Sequence, residues 1–440
     1  MKKNRIILSV FLIALIVIGW GSFGMNKVEA KGDYSKSLKE ADSYFKQELY
    51  QKAIIEYETA FNTKPSKKIM DKLLDAYSKS YEDGTSTQNE YAEAMEKACT
   101  KYEKSEKYWK RLIKFYMKNV DYNSAYSAVQ KAMRADVTSE KMNQLYNEVL
   151  YVYEVKSKNY YKFTSNLNGY YSLYDGTNWG VADSNGDWLY ECNYEYVSPV
   201  NETTDVLLKT EKDTRVIDSK GIVQYILDNS YSEYKALGSD LVPVKNENDA
   251  WQYLSLDSKK LVGEEYKNCS SFVNDEAVVS DGKSWSLVDK KFKKVSDKKF
   301  SDVKLHSNGE FIGSDIMIAS DKDGYHMYDE KGKAMNSFSA KDMDVCKGEY
   351  IAYQSDKGKW GFVDKKGKVV LKPVYDGAKS FSNGLAAVKT GDSWGFINDK
   401  FEEVIKAQFL DADYFSKNGV CLVSSSEKEF YFIKLRFNEK

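Results

Sequence analysis

One motif constrains this chain more than any other feature, because it returns along most of the C-terminal part. Residues 360–372 read WGFVDKKGKVVLK, and residues 394–406, beginning 34 positions later, read WGFINDKFEEVIK. The same frame, aromatic-x-apolar-apolar-Asp, stands at Trp179-Gly180-Val-Ala-Asp183, Trp285-Ser-Leu-Val-Asp289 and Tyr325-His-Met-Tyr-Asp329. Thr214-Arg-Val-Ile-Asp218 has lost the aromatic, the copy between Trp251 and Asp257 is shifted by two positions, and Phe430-Tyr-Phe-Ile433 is a half copy. Such a unit cannot bury both of its own faces, so copies must cover one another. About seven units and a fragment result.

The residues within a unit define its local shape. Asp183, Asp218, Asp329 and Asp364 are each followed three positions later by Gly. Asp at the first position of a type I turn and Gly at the fourth join two antiparallel strands through a glycine bulge. In the strand Trp360-Gly361-Phe362-Val363-Asp364, Trp360 and Phe362 point one way and Gly361 and Val363 the other. A strand apolar or small on both faces is sandwiched. Trp179, Trp285, Trp360 and Trp394 are therefore expected in the core, with Gly180, Gly361 and Gly395 letting neighbouring sheets nest. Seven units and a partial eighth predict a closed β-propeller, with the C-terminal strands beside Tyr170–Tyr174. An open β-solenoid is the alternative.

Residues 37–65 have a different period. Ala41, Ala53 and Ala60 with Tyr44, Tyr50 and Tyr57 recur at helical spacing, and Pro65 closes the segment. A second copy from Tyr108 places Trp109, Leu112, Tyr116, Tyr122, Ala125 and Ala132 in the same register. These segments resemble tetratricopeptide (TPR) repeats, pairs of antiparallel helices packed closely at small residues. Helices are predicted at 69–81 and 90–102, around a polar loop at 82–88, as a degenerate middle repeat. A last helix is predicted over Ser139–Val155, capped by Thr138 or Ser139.

The segment WGFVDKKGKVV followed by YDGAKSFSNGLAAVK, at 360–389, resembles the WG repeat family of bacterial β-repeat proteins. The resemblance is specific for the last two full units, fair over 179–208 and weaker across 214–345. It implies a β-repeat interaction domain of secreted or envelope proteins, and no catalytic residues. The expected organisation is thus multidomain, α plus all-β: TPR-like helices at 34–158, then the WG-repeat β domain at 165–440. The stretch Lys156–Asn168 reads as a short linker with little freedom.

The first thirty residues have the pattern of an export signal. Met1-Lys-Lys-Asn-Arg5 is basic, Ile6–Trp20 is almost wholly apolar, and Val28-Glu29-Ala30 sets small residues before a cleavage point. Extended to Met25, the run nears the roughly 20 residues of a membrane span. Residues 1–30 are therefore a signal peptide or a membrane anchor, with membrane contact through 6–25 if uncleaved. Either way the remainder is exported, secreted or attached to the outer face of the cytoplasmic membrane.

Charge and motif content narrow the function classes. Without residues 1–30 the chain carries 61 basic and 65 acidic residues, which gives no footprint for nucleic acid. Cys99, Cys192, Cys269, Cys346 and Cys421 lie far apart, read as free thiols, and do not fit a metal site. His306 sits in a polar stretch and His326 takes the place of Gly in its unit; neither has a nucleophile or acid at motif spacing. Asp183-x-Asn185-x-Asp187 begins like a calcium loop but has Trp188 at the sixth position and Tyr194 at the twelfth. The run Lys290-Lys-Phe-Lys-Lys294 reads as a solvated edge. The expectation is a non-catalytic scaffold without cofactor or metal. It binds an unknown protein partner in the cell envelope, with wall polysaccharide as the alternative ligand and a propeller-based enzyme as a third, remote one.

Overall fold

The computed structural model describes residues 30–437 apart from 167, 229 and 230. Apart from Ala30, the export segment lies outside them. Among the described residues no helix is long and apolar enough to cross a membrane. The chain divides into two compact units, 1–149 and 150–440.

The first unit contains seven helices among the described residues: α1 Ala30–Lys46, α2 Tyr50–Thr63, α3 Lys67–Glu82, α4 Gln88–Lys101, α5 Glu106–Lys118, α6 Tyr122–Arg134 and α7 Glu140–Leu150. They form three TPR-like pairs and a final helix. Ala41, Ala53, Ala60, Ala125 and Ala132 are fully buried, and Tyr57, Trp109 and Tyr116 are nearly so, whereas Tyr44 is half-buried in the terminal pair. Missing side-chain volume at the alanines is what lets paired helices approach. The helix starts are locally encoded: Ser66 accepts from the Ile69 amide, Asp121 from the Ser124 amide, and Thr87 and Glu90 form a reciprocal capping box. Ser139 caps α7 through the Met142 amide at 3.2 Å. That helix ends at Leu150 rather than Val155, because from Tyr153 onward the chain pairs as a strand.

The second unit contains eight antiparallel sheets, seven of four strands and one of three. In chain order these are blade 1 (162–194), blade 2 (196–227), blade 3 (234–266), blade 4 (268–300), blade 5 (302–340), blade 6 (342–375), blade 7 (377–409) and blade 8 (411–435). Blade 8 takes its fourth strand, Tyr153–Tyr160, from the start of the unit, paired with Phe430–Leu435. Closure follows from the cores. Separate apolar clusters join each blade to the next, and a last one (Tyr171 and Leu173 with Leu422 and Phe432) joins blade 8 to blade 1. The unit is an eight-bladed β-propeller and not an open solenoid.

This corrects the expected boundaries. Residues 153–158, read as the end of the helical domain, are propeller strand, and within the expected linker at 156–168 residues 156–160 and 162–165 are strands of blades 8 and 1. The count of seven units and a fragment becomes eight blades, one assembled from both ends of the unit.

Candidate functional site

Every blade but the third, where Tyr234 makes a single bridge to Val244, opens with a short strand, such as Asn268–Cys269, Asp302–Val303, Asp342–Met343, Gly377–Ala378 or Asp411–Ala412. Side chains that follow these strands in non-adjacent blades meet, so this is the propeller axis. Tyr414 of blade 8 donates to both oxygens of Asp344 of blade 6, at 2.8 and 2.7 Å, and between the neighbouring blades 1 and 8 Ser165 donates to Asp413 at 3.0 Å. In blades 3, 4 and 7 the connector is short (235–240, 270–275, 379–384). It ends in a two-residue turn with both residues at positive φ: Ser239-Asp240, Asn274-Asp275 and Asn383-Gly384, the type I′ geometry that matches strand twist.

Blade 5 has the same turn at Ser314-Asp315, but its connector, 304–315, is longer and crosses the axis. Ser307 Oγ accepts from the Ser165 amide (3.0 Å) and donates to the Ser165 carbonyl (2.8 Å) in blade 1. The Asn308 carbonyl accepts from the Ala236 amide of blade 3 at 3.1 Å, and the Gly309 carbonyl from the Ser271 amide of blade 4 at 2.8 Å. The innermost strands expose unpaired amides, which need acceptors when buried. The blade 5 connector supplies them.

The connector brings buried ionisable groups with it. His306 is 4% exposed, and its Nδ1 has no hydrogen-bond partner. Burial, reinforced by the Lys347 charge, pulls its pKa down to about 3. Glu310 is also 4% exposed, with Oε2 unpartnered. Burial and the nearby Glu202 charge push its pKa up to about 7. The Lys347 ammonium lies 4.2 Å from the centre of the Tyr414 ring, and burial lowers its pKa. Thr164 and Ser271 hydroxyls are likewise unpartnered. A cavity of about 10 Å³ beside Ser165, Asn166, Lys347 and Tyr414 has room for about one water. The Ser307, Asn308, Gly309 and Tyr414 hydrogen bonds are what tie blades together across the axis.

The repeat residues expected from sequence have local roles. Asp183, Asp289, Asp329 and Asp364 each accept, through Oδ1, the amides two and four positions on, at 2.8–3.0 Å. Gly186, Gly332 and Gly367 follow at positive φ. The Asp183 loop is thus a hairpin turn, and no cluster of three or more metal-ligating side chains occurs among the described residues. His326 bridges the Phe338 carbonyl and Asp321, at 3.0 and 3.1 Å. All five cysteines are free, and only Cys192 is not fully buried.

Two expectations need correction. Trp179, Trp360 and Trp394 are half-buried, as is Tyr325; only Trp285 and Trp251 are core, while Phe362 and Phe396, two positions after the tryptophans, are fully buried. Gly180, Gly361 and Gly395 do not serve sheet nesting. Each faces a bulge in the outer strand of its own blade, where a Cβ would stand 2.5–2.7 Å from a main-chain carbonyl. Sequence reading also missed Phe292 and Phe401, which take the turn-glycine position at φ 60 and 63. Their rings pack on Tyr253 and Phe272, and on Phe362 and Phe381. The available signal was an aromatic at the fourth position of an Asp or Asn turn.

In the helical unit, ion pairs join the first helices of successive pairs: Asp42 to Lys72 at 2.6 Å, Asp71 to Lys107 at 2.8 Å and Asp75 to Arg111 at 2.8 Å. Arg111 also donates to the Tyr91 hydroxyl and the Leu74 carbonyl, both at 2.8 Å. This ladder fixes α1, α3 and α5 against one another.

The WG containing repeat family matches residues 179–202, 360–393 and 394–428. Those segments are WG repeats. They cover the two outer strands of blade 1 with the first of blade 2, the two outer strands of blade 6, all of blade 7 and the first strands of blade 8, and the WG repeat therefore runs from the outer part of one blade into the inner part of the next. No curated protein matches the chain. Among solved structures, BamB from Moraxella catarrhalis is similar at 11% identity and a TM-score of 0.37, over 63% of this chain and 92% of that one. The Sgt2 TPR domain from Aspergillus fumigatus is similar at 26% identity and a TM-score of 0.20, over 26% of this chain and 76% of that one. The propeller closure rests on strand pairing, not on either likeness.

Proposed function

We propose that the protein is an exported, non-catalytic scaffold that binds protein segments in the cell envelope. The observation that carries this reading is the pair of preformed repeat surfaces. Three helical pairs are held in fixed relation by the Asp42–Lys72, Asp71–Lys107 and Asp75–Arg111 ladder, and a ring of blades is braced across its own axis. A surface ordered in advance loses little entropy on binding, which favours recognition of flexible segments. The basic N-terminus and apolar run at 6–20 supply the route out of the cell. In the producing cell, photo-crosslinkers placed at exposed positions of α1, α3 and α5 should yield protein adducts. Adducts to wall polymer alone, or substrate turnover by the purified chain, would overturn the reading.

A further inference from the structure

Five Asn-Gly steps occur in the sequence, at 168–169, 185–186, 308–309, 383–384 and 418–419. Asparagine before glycine is chemically labile, because glycine has no side chain to keep its amide nitrogen from the asparagine side-chain carbon. The reaction needs that nitrogen free to give up its proton. In four of the five steps it is committed to a turn. The Gly169 amide donates to the Asn166 carbonyl at 3.2 Å, Gly186 to the Asp183 carbonyl at 2.9 Å, Gly309 to that of His306 at 2.8 Å and Gly419 to that of Ser416 at 3.0 Å. Gly384 is the exception. It is the second residue of the blade 7 connector turn, where the hydrogen bonds run between Ser382 and Leu385, and among the described residues its own amide has no acceptor. Gly384 is exposed, and no atom lies within 4 Å of where a Cβ would stand, so water reaches it. The matching turns of blades 3, 4 and 5 carry Ser-Asp, Asn-Asp and Ser-Asp, so none of them repeats the step.

Asn383 is also placed where a change of its side chain is felt. Its amide nitrogen donates to the Phe415 carbonyl of blade 8 at 2.8 Å, and Ser382 Oγ donates to the same oxygen at 2.9 Å. Phe415 follows Tyr414, whose hydroxyl bonds Asp344 across the axis. A carboxylate at position 383 would replace this donor by an acceptor and set negative charge against the carbonyl.

We propose that Asn383 is the site at which this chain deamidates spontaneously, and that the change weakens the brace between blades 7 and 8. The Gly384 nitrogen loses its proton and bonds to Cγ of Asn383, the bond from Cγ to the side-chain nitrogen breaks, and ammonia leaves. Water then opens the cyclic imide at either carbonyl, leaving aspartate or isoaspartate. One water is consumed for each ammonia released, and no oxidant or cofactor enters. The purified full chain would be held for weeks at mildly alkaline pH, both native and in urea, then mapped by trypsin digestion and mass spectrometry. Peptide 380–389 contains Asn383 and none of the other four asparagines. In the native chain it should deamidate at least about fivefold faster than any other Asn-Gly step, the population factor of one net hydrogen bond, with isoaspartate among its products. In urea, where no turn survives, the five rates should converge. Modified native chain, separated by its extra negative charge, should unfold at lower urea than unmodified chain. No native modification, equal native rates, another step in the lead, or the same ranking in urea as in the fold would each overturn the assignment. An unchanged urea midpoint would overturn the effect on the brace.

Discussion

Replacing Gly395 by Ala isolates the physical role of the glycine in a WG repeat. The added methyl would sit 2.5 Å from the Ile405 carbonyl oxygen and 2.6 Å from the Ala407 nitrogen, both main chain and neither able to swing aside. Ordinary contact begins near 3.4 Å, so the outer strand of blade 7 must retreat by roughly 0.9 Å. That weakens ladder bonds on either side of the bulge, about 1 kcal/mol each, in addition to a packing strain of about 1–3 kcal/mol. The expected loss is about 3–5 kcal/mol. Gly384→Ala is the control: its φ is +80 and nothing lies within 4 Å of the new methyl. It should lose only the left-handed penalty, about 1 kcal/mol. Urea unfolding of the full chain followed by tryptophan fluorescence reads the propeller, since only Trp20 and Trp109 precede residue 150. Far-ultraviolet circular dichroism follows the helical unit separately. The reasoning fails if Gly395→Ala costs no more than Gly384→Ala.

Further outcomes follow from the axis, the ladder and the thiols. Glu310, raised to about 7 in the fold, destabilises the protein progressively as pH rises from its unfolded value near 4.5 toward 7, because the unfolded chain ionises first. His306, lowered to about 3, destabilises it as pH falls below its unfolded value near 6.5. The two slopes oppose each other between about pH 4.5 and 6.5, so Glu310→Gln should gain on wild type by up to about 3 kcal/mol between pH 4.5 and 7.5. Parallel urea curves at those two pH values would refute this. Arg111→Met, which strands the carbonyl and hydroxyl that it serves, should cost about 1.5–3 kcal/mol in the helical transition. Lys72→Met, which removes one partner of a partly exposed pair and leaves Asp42 to accept from Tyr57, should cost less than about 1 kcal/mol; a larger loss from it than from Arg111→Met would contradict the ladder. Alkylation of the native protein followed by mass spectrometry should label Cys192 first and the other four cysteines only on unfolding, with no disulfide pair to reduce.

What the sequence made legible and what it concealed divide along the range of the interactions. The Asp turns were legible because their hydrogen bonds span at most four residues, and the TPR pairs because buried alanines recur at fixed helical intervals. The two-sided strand was legible as well: Trp360 and Phe362 pack toward blade 7 while Val363 packs toward blade 5. The partial eighth unit was legible, but its completion was hidden, since the fourth strand comes from residues 153–160 and the first three from 411–435, and no period connects them. The blade 5 connector was hidden for the same reason. His306 read only as part of a polar stretch, and it is the positions of blades 1, 3 and 4 that turn the Ser307 hydroxyl and the Asn308 and Gly309 carbonyls beside it into acceptors for inward-facing amides. A repeat fold therefore announces its units and conceals what occupies its centre, because the units are equivalent and the centre is not. Variation that breaks the repeat, as the connector at 304–315 does, is where the unrepeated feature of this propeller lies: its braced axis.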